Sequence, residues 1–259
     1  SAIMRSGKVI LALTIFFIAL IAILSVKWRS ETEINKITIT GNYTISREEI
    51  LNAARISDSS AITEEVNIDL IRNRISNHKE IKKVFVSLEL PSELKIEIIE
   101  RRPVAVINGE NEIMLVDDEL EIFPFKNAVK MYDLPVISGV RTELKPDPAN
   151  RYNKEDLRLA LFLILNTYRT SKATYNFISE VSLSDTDKVI VYMAEDSSPF
   201  YFPKKTNESI SNTEYQELLL NRIVVFENYL KQSLDDHLRK DIKYVDLRYE
   251  NKVILNSNN

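Results

Sequence analysis

A continuous apolar stretch from Val9 to Val26 constrains the fold of this chain more than any other feature. Among its 18 residues only Thr14 and Ser25 are polar. At a rise of 1.5 Å per residue such a helix is about 27 Å long, close to the roughly 30 Å hydrocarbon core of a bilayer. Trp28, between two basic residues, follows at once and suits a membrane interface. Because the stretch ends without the small residues of a signal-peptide cleavage site, we predict an uncleaved transmembrane helix over residues 9–26.

The composition of the chain argues against most classes of enzyme. The sequence has no Cys, which excludes disulfide scaffolds, thiol nucleophiles and Cys-based zinc sites. Its four glycines stand apart from one another, so neither a phosphate-binding loop nor a dinucleotide-binding turn can be written. Its two histidines, His78 and His237, form neither a metalloprotease motif nor a recognisable catalytic triad. We therefore expect no catalytic residue, no cofactor and no metal ion.

The charge of the chain divides between its N-terminus and the remainder. The net charge is −4, from 34 basic and 38 acidic residues. The first 29 residues contain four of the basic residues and none of the acidic ones, so the remainder has 34 − 4 = 30 basic residues and a net charge of 30 − 38 = −8. A region this acidic, without a basic stripe, is a poor nucleic-acid binder, and we expect no nucleic-acid partner.

Residues 33–102 show a compact β-α-α-β-β pattern. The run from Ile34 to Ile39 alternates apolar and polar residues and predicts a strand. Ser46 and Glu49 form a capping box that opens a first helix, and a second helix begins near Asn67. Two further alternating runs, 84–88 and 94–98, are separated by a Pro-Ser turn and predict a hairpin.

Residues 103–259 read mainly as short strands with two helices. The helices are predicted over about 154–168 and 213–230, where apolar residues recur at helical spacing. The intervening runs are short, apolar and bounded by Asn, Gly, Pro or acidic turns. Together the two parts predict an α+β chain: a single N-terminal transmembrane helix, a β-α-α-β-β domain, and a mainly antiparallel β domain with flanking helices.

Acidic and histidine residues supply two weaker candidates for chemistry. Asp235, Asp236 and His237 could bind a metal ion, although a solvated acidic turn is the simpler interpretation. Asp117 and Asp118 could form the acid–base pair of a glycosidase. Adjacent strand residues point to opposite faces of a sheet, however, which favours a role in a turn.

The aromatic residues between Pro199 and Pro203 are a third candidate. They could hold a carbohydrate chain, or they could pack a loop onto the core. His78 lies near a predicted helix end with no second metal ligand nearby in sequence. Neither feature by itself predicts a site.

Five short motifs follow one another along the chain, at Ile37–Asn42, Leu94–Ala105, Val116–Phe123, Leu134–Gly139 and Val245–Tyr249. Together they resemble motifs of the FtsQ/DivIB cell-division proteins. They are similar, in this order, to the opening of that family's POTRA domain, to its "ERxPVA" exit, to its "VDxxGxxF" and "LPxIxG" runs and to its "DLRY" strand. Leu120 departs from the pattern, because it stands where the family usually has a glycine.

The resemblance implies a bitopic scaffold without enzymatic activity. Residues 1–8 would then be a short cytoplasmic tail, 27–32 a juxtamembrane linker, 33–102 a POTRA domain and 103–259 a β domain outside the cytoplasmic membrane. The implied location is the division septum, with the N-terminus inside and the other domains in the periplasm or outside. The implied partners are FtsB- and FtsL-like proteins, bound by addition of a partner strand to the β domain, and other division proteins bound by the POTRA domain.

The last predicted hairpin is the candidate site for strand addition. A terminal strand has one sequence neighbour, so its outer edge is expected to present unpaired backbone groups, and such an edge is usually protected by charge, Pro or brevity. A closed sheet that buries the same residues is the alternative. Arg222, on the preceding helix, is a flanking candidate, although a solvated helical arginine is the simpler interpretation. The predicted partner-binding residues are Arg222, Arg248, Tyr249, Glu250, Asn251, Lys252, Val253, Ile254 and Leu255.

Two other functions remain open from the sequence. One is a POTRA-containing envelope protein of outer-membrane or secretion assembly, although the chain lacks the many strands of a barrel. The other is a membrane-anchored periplasmic enzyme with a site spread over loops. A deep polar pocket with converging acid, base or metal-binding groups would favour that enzyme.

Overall fold

The fold is described from a computed structural model. It describes residues 13–23, 34–56, 67–89, 92–108, 113–125, 133–143, 151–194, 199–205, 207–233, 242–250 and 252–257. The chain divides into two compact units, one ending at Arg101 and the other beginning at Arg102. Each unit has its own hydrophobic core.

The predicted transmembrane helix lies only partly within the described residues. Residues 13–23 form a helix, α1, whose apolar side chains are exposed. The remainder of the predicted span, residues 9–12 and 24–26, lies outside the described residues, as do the predicted tail 1–8 and linker 27–32. Within the part of the chain that the structure describes, no helix has both the length and the hydropathy needed to cross a membrane.

The first unit has the predicted β-α-α-β-β order. Its elements are β1 (Lys36–Thr40), α2 (Arg47–Ala54), α3 (Ile68–Ser76), β2 (Ile81–Glu89) and β3 (Glu93–Glu100). The strands form a sheet of order β1-β3-β2, in which β3 is parallel to β1 and antiparallel to β2.

The local signals read from the sequence explain where the elements of this unit begin. The Ser46 side chain accepts a hydrogen bond from the Glu49 amide at 3.1 Å, and the Asn67 side chain accepts one from the Leu70 amide at 2.9 Å. On β3 the side chains alternate, so that Leu94, Ile96 and Ile98 are buried against the helices. The period of two in the sequence is therefore the pattern that builds this core.

The second unit is a nine-stranded mixed sheet with helices. Its strands are β4 (Pro103–Asn108), β5 (Ile113–Asp117), β6 (Ile122–Pro124), β7 (Val136–Ser138), β8 (Ile178–Ser182), β9 (Lys188–Met193), β10 (Phe200–Pro203), β11 (Ile242–Asp246) and β12 (Ile254–Ser257). Its helices are α4 (Lys154–Thr170), α5 (Lys172–Asn176) and α6 (Thr213–Ser233). The strand order is β12-β11-β10-β9-β8-β7-β4-β5-β6.

Most neighbouring strands of this sheet are antiparallel, as predicted, but three pairs are parallel. The parallel pairs are β4–β7, β7–β8 and β10–β11. Two parallel strands that follow one another in the chain need a crossover connection. Helix α4 lies in the connection from β7 to β8, and α6 lies in the connection from β10 to β11. These are the two helices predicted from the sequence.

The core of the second unit lies between the sheet and α4 and α6. The two helices pack against each other, and Phe226 of α6 contacts the rings of Phe200 and Phe202 at centroid distances of 4.7 and 5.6 Å. Strand β10, which carries these two phenylalanines, was not predicted as a strand. Their burial supports the interpretation that the aromatic cluster packs on the core. Between them, Tyr201 points to the opposite face of the sheet.

Candidate partner-binding edge of the sheet

The two ends of the nine-stranded sheet differ in how open they are to another strand. At one end, β6 has three residues and finishes at Pro124, so it is both short and protected by proline. At the other end, β12 contains neither charge nor proline and pairs with β11 alone among the described strands. The structure therefore places the predicted terminal strand at an accessible sheet edge, and the alternative of a closed sheet does not apply to the described strands.

The backbone directions along β12 follow from the hydrogen bonds of β11. The Val245 amide donates to the Pro199 carbonyl at 2.9 Å, on the side of β10. Because these directions alternate along a strand, Asp246 directs its N–H and C=O groups toward β12, where it lies opposite Ile254. Leu255 lies opposite Val245, so its N–H and C=O groups point away from β11, to the open edge.

Three apolar side chains are exposed at the start of β12 and just before it. Val253, Ile254 and Leu255 are each exposed by about a third to a half, and Leu255 reaches 50%. Leu255 lies opposite the buried Val245 and therefore belongs to the face of the sheet that α6 covers elsewhere. A strand at an open edge with exposed apolar side chains at its start is a geometry that suits strand addition.

Arg248 is engaged within its own segment. Its Nε donates to Oδ1 of Asp246 at 3.0 Å, and its Nη2 donates to Oδ2 at 2.7 Å. Burial acts to raise the pKa of the Asp246 carboxyl, but the hydrogen bonds from Arg248 outweigh it and hold that pKa below its usual value. This ion pair shapes the start of the β11–β12 turn.

Tyr249 is the exposed aromatic residue of this turn. The Arg248 guanidinium lies 5.8 Å from the centre of its ring, and Lys252 Nζ lies 5.4 Å from it. Glu250 and Lys252 are exposed beside it, and Asn251 lies outside the described residues. The described residues of the predicted segment, 248–250 and 252–255, therefore lie at the end of the sheet that β12 forms.

Arg222 lies in a different environment from the one expected for a solvated helical arginine. It is only 7% exposed, and its Nε has no hydrogen-bond partner within the described part of the chain. It lines a groove of about 720 Å³ between α6 and the β11–β12 turn, together with Val225, Glu250 and Val253. The structure thus brings Arg222 to the predicted segment through the fold, although about 30 residues separate them in sequence.

His78 has a neighbour that sequence reasoning did not find. Its Nε2 lies 3.0 Å from Oε1 of Glu49, and Glu80 is the third member of a cluster with the ligand types of a metal site. The Glu80 amide donates to Nδ1 of His78 at 3.3 Å, which leaves the ring proton on Nε2, pointing at Glu49. The arrangement is that of a hydrogen-bonded histidine, since a metal would need the lone pair of Nε2.

Of the remaining candidates from the sequence, only Asp117 and Asp118 lie within the described residues. The buried Asp117 carboxylate accepts hydrogen bonds from the amides of Glu119 and Glu121, both at 2.9 Å, so it organises a turn while Asp118 is exposed. Asp235, Asp236 and His237 lie outside the described residues.

Comparison with known families assigns the chain. Residues 32–101 match the family described as "POTRA domain, FtsQ-type". Residues 105–248 match "Cell division protein FtsQ/DivIB, C-terminal" and make up 144 of the 259 residues. The chain belongs to the FtsQ/DivIB family. The resemblance predicted from five motifs is thereby confirmed.

Curated FtsQ/DivIB relatives cover the chain to different extents. A cell division protein FtsQ of Rickettsia bellii is 33% identical over 87 residues, which is 34% of this chain and 32% of the relative. The FtsQ of Geotalea daltonii is 24% identical over 224 residues, covering 86% of this chain and 75% of the relative. The FtsQ of Koribacter versatilis is 27% identical over 232 residues, covering 88% of this chain and 62% of the relative. The chain thus matches about a third of the length of the Rickettsia relative.

Leu120, at which the resemblance predicts a glycine, has a left-handed backbone. Its φ is 65°, in the region that favours glycine. The turn therefore has a conformation that glycine would adopt readily, and the hydrogen bonds from the Glu119 and Glu121 amides to the Asp117 carboxylate hold it.

Proposed function

We propose that this chain is a bitopic scaffold of the bacterial division machinery. Residues 9–26 anchor it in the cytoplasmic membrane with the N-terminus inside, and residues 33–259 lie in the periplasm or outside the cell, at the division septum. There it links early and late division proteins. The observation that supports this proposal most directly is the open edge of β12. Its outward backbone N–H and C=O groups can form hydrogen bonds with a strand of another chain.

The membrane anchor is supported by α1 and its surroundings. The apolar side chains of residues 13–23 are exposed, and an exposed apolar helix of this kind is expected to be covered by lipid or by another protein. The sequence extends the apolar run to 18 residues, from Val9 to Val26.

The proposed partners are FtsB- and FtsL-like proteins. A partner strand would pair with the outward N–H and C=O groups of Leu255, and its apolar side chains would cover Ile254 and Leu255. The POTRA-type unit is proposed to contact other division proteins. Because the family matched by residues 105–248 is named for cell division, we favour this role over an envelope enzyme or a transport protein.

The substitution Leu255→Pro tests strand addition. Proline at position 255 removes the N–H group that points to the open edge. The backbone hydrogen bonds between β12 and β11 remain, because the residues on either side of position 255 make them. We expect the affinity of the full chain for the FtsB–FtsL-like pair of the same bacterium to fall at least about tenfold, from the lost hydrogen bond and the bulk of the ring at the edge. Biolayer interferometry with the purified pair would measure it.

The matched control is Leu255→Ala, which keeps the N–H group and removes most of the side chain. We expect it to weaken binding less than proline does. Thermal unfolding of both variants should stay close to that of the unsubstituted chain, since β12 keeps its pairing with β11. Equal affinities for the proline and alanine variants would remove strand addition from the mechanism.

A further inference from the structure

The groove beside α6 is continuous with the proposed strand-binding edge. Val253, immediately before β12, lines the groove, and so do Leu218 and Val225 of α6. The groove lies on the face of the sheet to which Leu255 belongs, because α6 packs on that face. A partner segment that pairs with β12 therefore has this groove within reach of the residues that flank its strand.

Arg222 lines this groove, and its Nε lacks the hydrogen-bond partner that a buried donor usually has among the described residues. It is more than nine-tenths buried, and among the described residues its Nε has no hydrogen-bond partner and no carboxylate forms an ion pair with it. Buried polar groups are almost always paired, since an unpaired donor forgoes the hydrogen bonds it would make in water, and the penalty is larger for a charged group. Within the described part of the chain, this arginine is buried without the partner that such a position normally provides.

The chemistry of the guanidinium defines the missing partner. Nε and an adjacent Nη present two parallel N–H groups, a fork that matches the two oxygens of a carboxylate. The rim of the groove carries three exposed glutamates, Glu214, Glu217 and Glu250, and one exposed lysine, Lys252. Its net negative charge repels a small diffusible anion. A carboxylate on a bound polypeptide can reach Arg222 nevertheless, because the other contacts of that polypeptide offset the repulsion by the glutamates.

We propose that Arg222 binds an aspartate or glutamate side chain of the partner segment that pairs with β12. The inference rests on the proposed function, because it assigns a chemistry to the same partner. It also predicts the local sequence of that partner. One acidic residue should lie next to the strand that pairs with β12, apolar residues nearby should pack against Leu218 and Val225, and a basic residue should pair with the glutamates of the rim.

The test compares Arg222→Met with Arg222→Lys in the full chain, using the same partner pair as for Leu255→Pro. Methionine has a similar length and no donor, and lysine keeps the charge but lacks the fork. We expect Arg222→Met to weaken binding about 10- to 100-fold and Arg222→Lys to recover only part of that loss. We also expect Arg222→Met to unfold at the same temperature as the unsubstituted chain or higher, because it removes a buried side chain whose Nε has no hydrogen-bond partner among the described residues.

A double-mutant cycle identifies the carboxylate. Each acidic residue of the partner segment is replaced by its amide, and each variant is measured against the unsubstituted chain and against Arg222→Met. One amide variant should weaken binding to the unsubstituted chain and have no further effect with Arg222→Met. Additive effects for every acidic residue, or an affinity of Arg222→Met within twofold of the unsubstituted chain, would overturn the proposal, as would a lower unfolding temperature that accounts for the loss.

The Leu255→Pro measurement separates the two proposals. Unchanged affinity for Leu255→Pro means that strand addition itself is wrong. A loss for Leu255→Pro with no loss for Arg222→Met leaves strand addition in place and rejects only the role of Arg222.

Discussion

Two glycines, Gly41 and Gly139, hold backbone positions that no other residue could take without a shift. Both have positive φ, 80° and 64°. A Cβ added at Gly41 would lie 2.0 Å from the carbonyl oxygen of Ile98, and one added at Gly139 would lie 2.4 Å from the amide nitrogen of Ser184. At each position a turn packs directly on the backbone of a neighbouring segment, which explains why two of only four glycines in the chain stand there.

We expect Gly41→Ala to lower the free energy of unfolding by at least about 2 kcal/mol. The left-handed backbone costs an alanine about 1–2 kcal/mol, and the contact with backbone adds to that cost because backbone cannot rotate away. Urea unfolding of the chain would measure the change. The control is Tyr43→Ala in the same turn, where the side chain is 88% exposed and a change within about 0.5 kcal/mol is expected. Similar losses for both variants would contradict the argument.

At the scale of elements, the start of α4 is tied to the segment that follows β7. Asn153 accepts hydrogen bonds from the amides of Glu155 and Asp156, both at 3.1 Å, and so caps the helix. The buried Asp156 carboxylate accepts two hydrogen bonds from the Arg141 guanidinium, at 2.8 and 2.9 Å, and one from its amide at 3.0 Å. This ion pair connects the sheet to the helix that covers it.

The Arg141–Asp156 pair should make stability depend on pH. Burial acts to raise the pKa of Asp156, but the hydrogen bonds from Arg141 outweigh it and hold that pKa below the usual 3.8. The pair therefore contributes stability above pH 3.8, and this contribution is lost as the pH falls through the lower pKa of the folded state. We expect Arg141→Met to destabilise the chain at pH 7 by about 2–3 kcal/mol, less than for a fully buried pair because Arg141 is largely exposed.

The destabilisation by Arg141→Met should shrink in acid. Without its partner, the buried Asp156 carboxyl has a raised pKa, so protonation relieves the variant while it weakens the unsubstituted chain. Chemical unfolding at a series of pH values would show the two stabilities converging. The control is Arg158→Met, which removes an exposed pair with Glu155 on the same helix and should cost no more than about 1 kcal/mol. A constant difference between pH 7 and pH 3 would rule out the pair as its source.

At the scale of the whole molecule, the chain contains two cores built from different residues. In the first unit the buried cluster includes Ile50, Ile75 and Ile96, all without solvent exposure. In the second unit the cluster is centred on the sheet, α4 and α6. Because each core is complete within its unit, we expect each unit to fold as a separate fragment.

A fragment of residues 33–102 should unfold cooperatively, and its stability should depend on Ile96. Replacing this central residue of β3 by alanine is expected to cost about 2–5 kcal/mol, which is comparable to the whole stability of so small a domain. Ile99→Ala is the matched control on the same strand, because Ile99 is 47% exposed on the opposite face. Circular dichroism during heating should show a transition for the fragment and for Ile99→Ala, and little or none for Ile96→Ala. A fragment without any transition would mean that this core is insufficient alone.

Much of the fold could be read from local sequence patterns. The capping residues Ser46 and Asn67 predicted the helix starts of the first unit, and the alternation in β3 predicted its buried face. Leu120, where the family usually has glycine, predicted a turn whose geometry needed checking, and its φ of 65° gives that geometry. These features depend on residues close together in the chain, so they can be recognised without knowing what they pack against.

The sequence by itself determined the family of this protein, the order of the elements in its first unit and the segment at its sheet edge. Only the tertiary structure decided which strands became neighbours, that β10 joined the sheet, and that Glu49 reached His78. It also decided that Arg222, on a helix face that reads as solvated, is buried in the groove beside the last hairpin. The physical reason is that periodicity and capping are local, whereas burial depends on surfaces that are distant in the chain and meet only when the core forms.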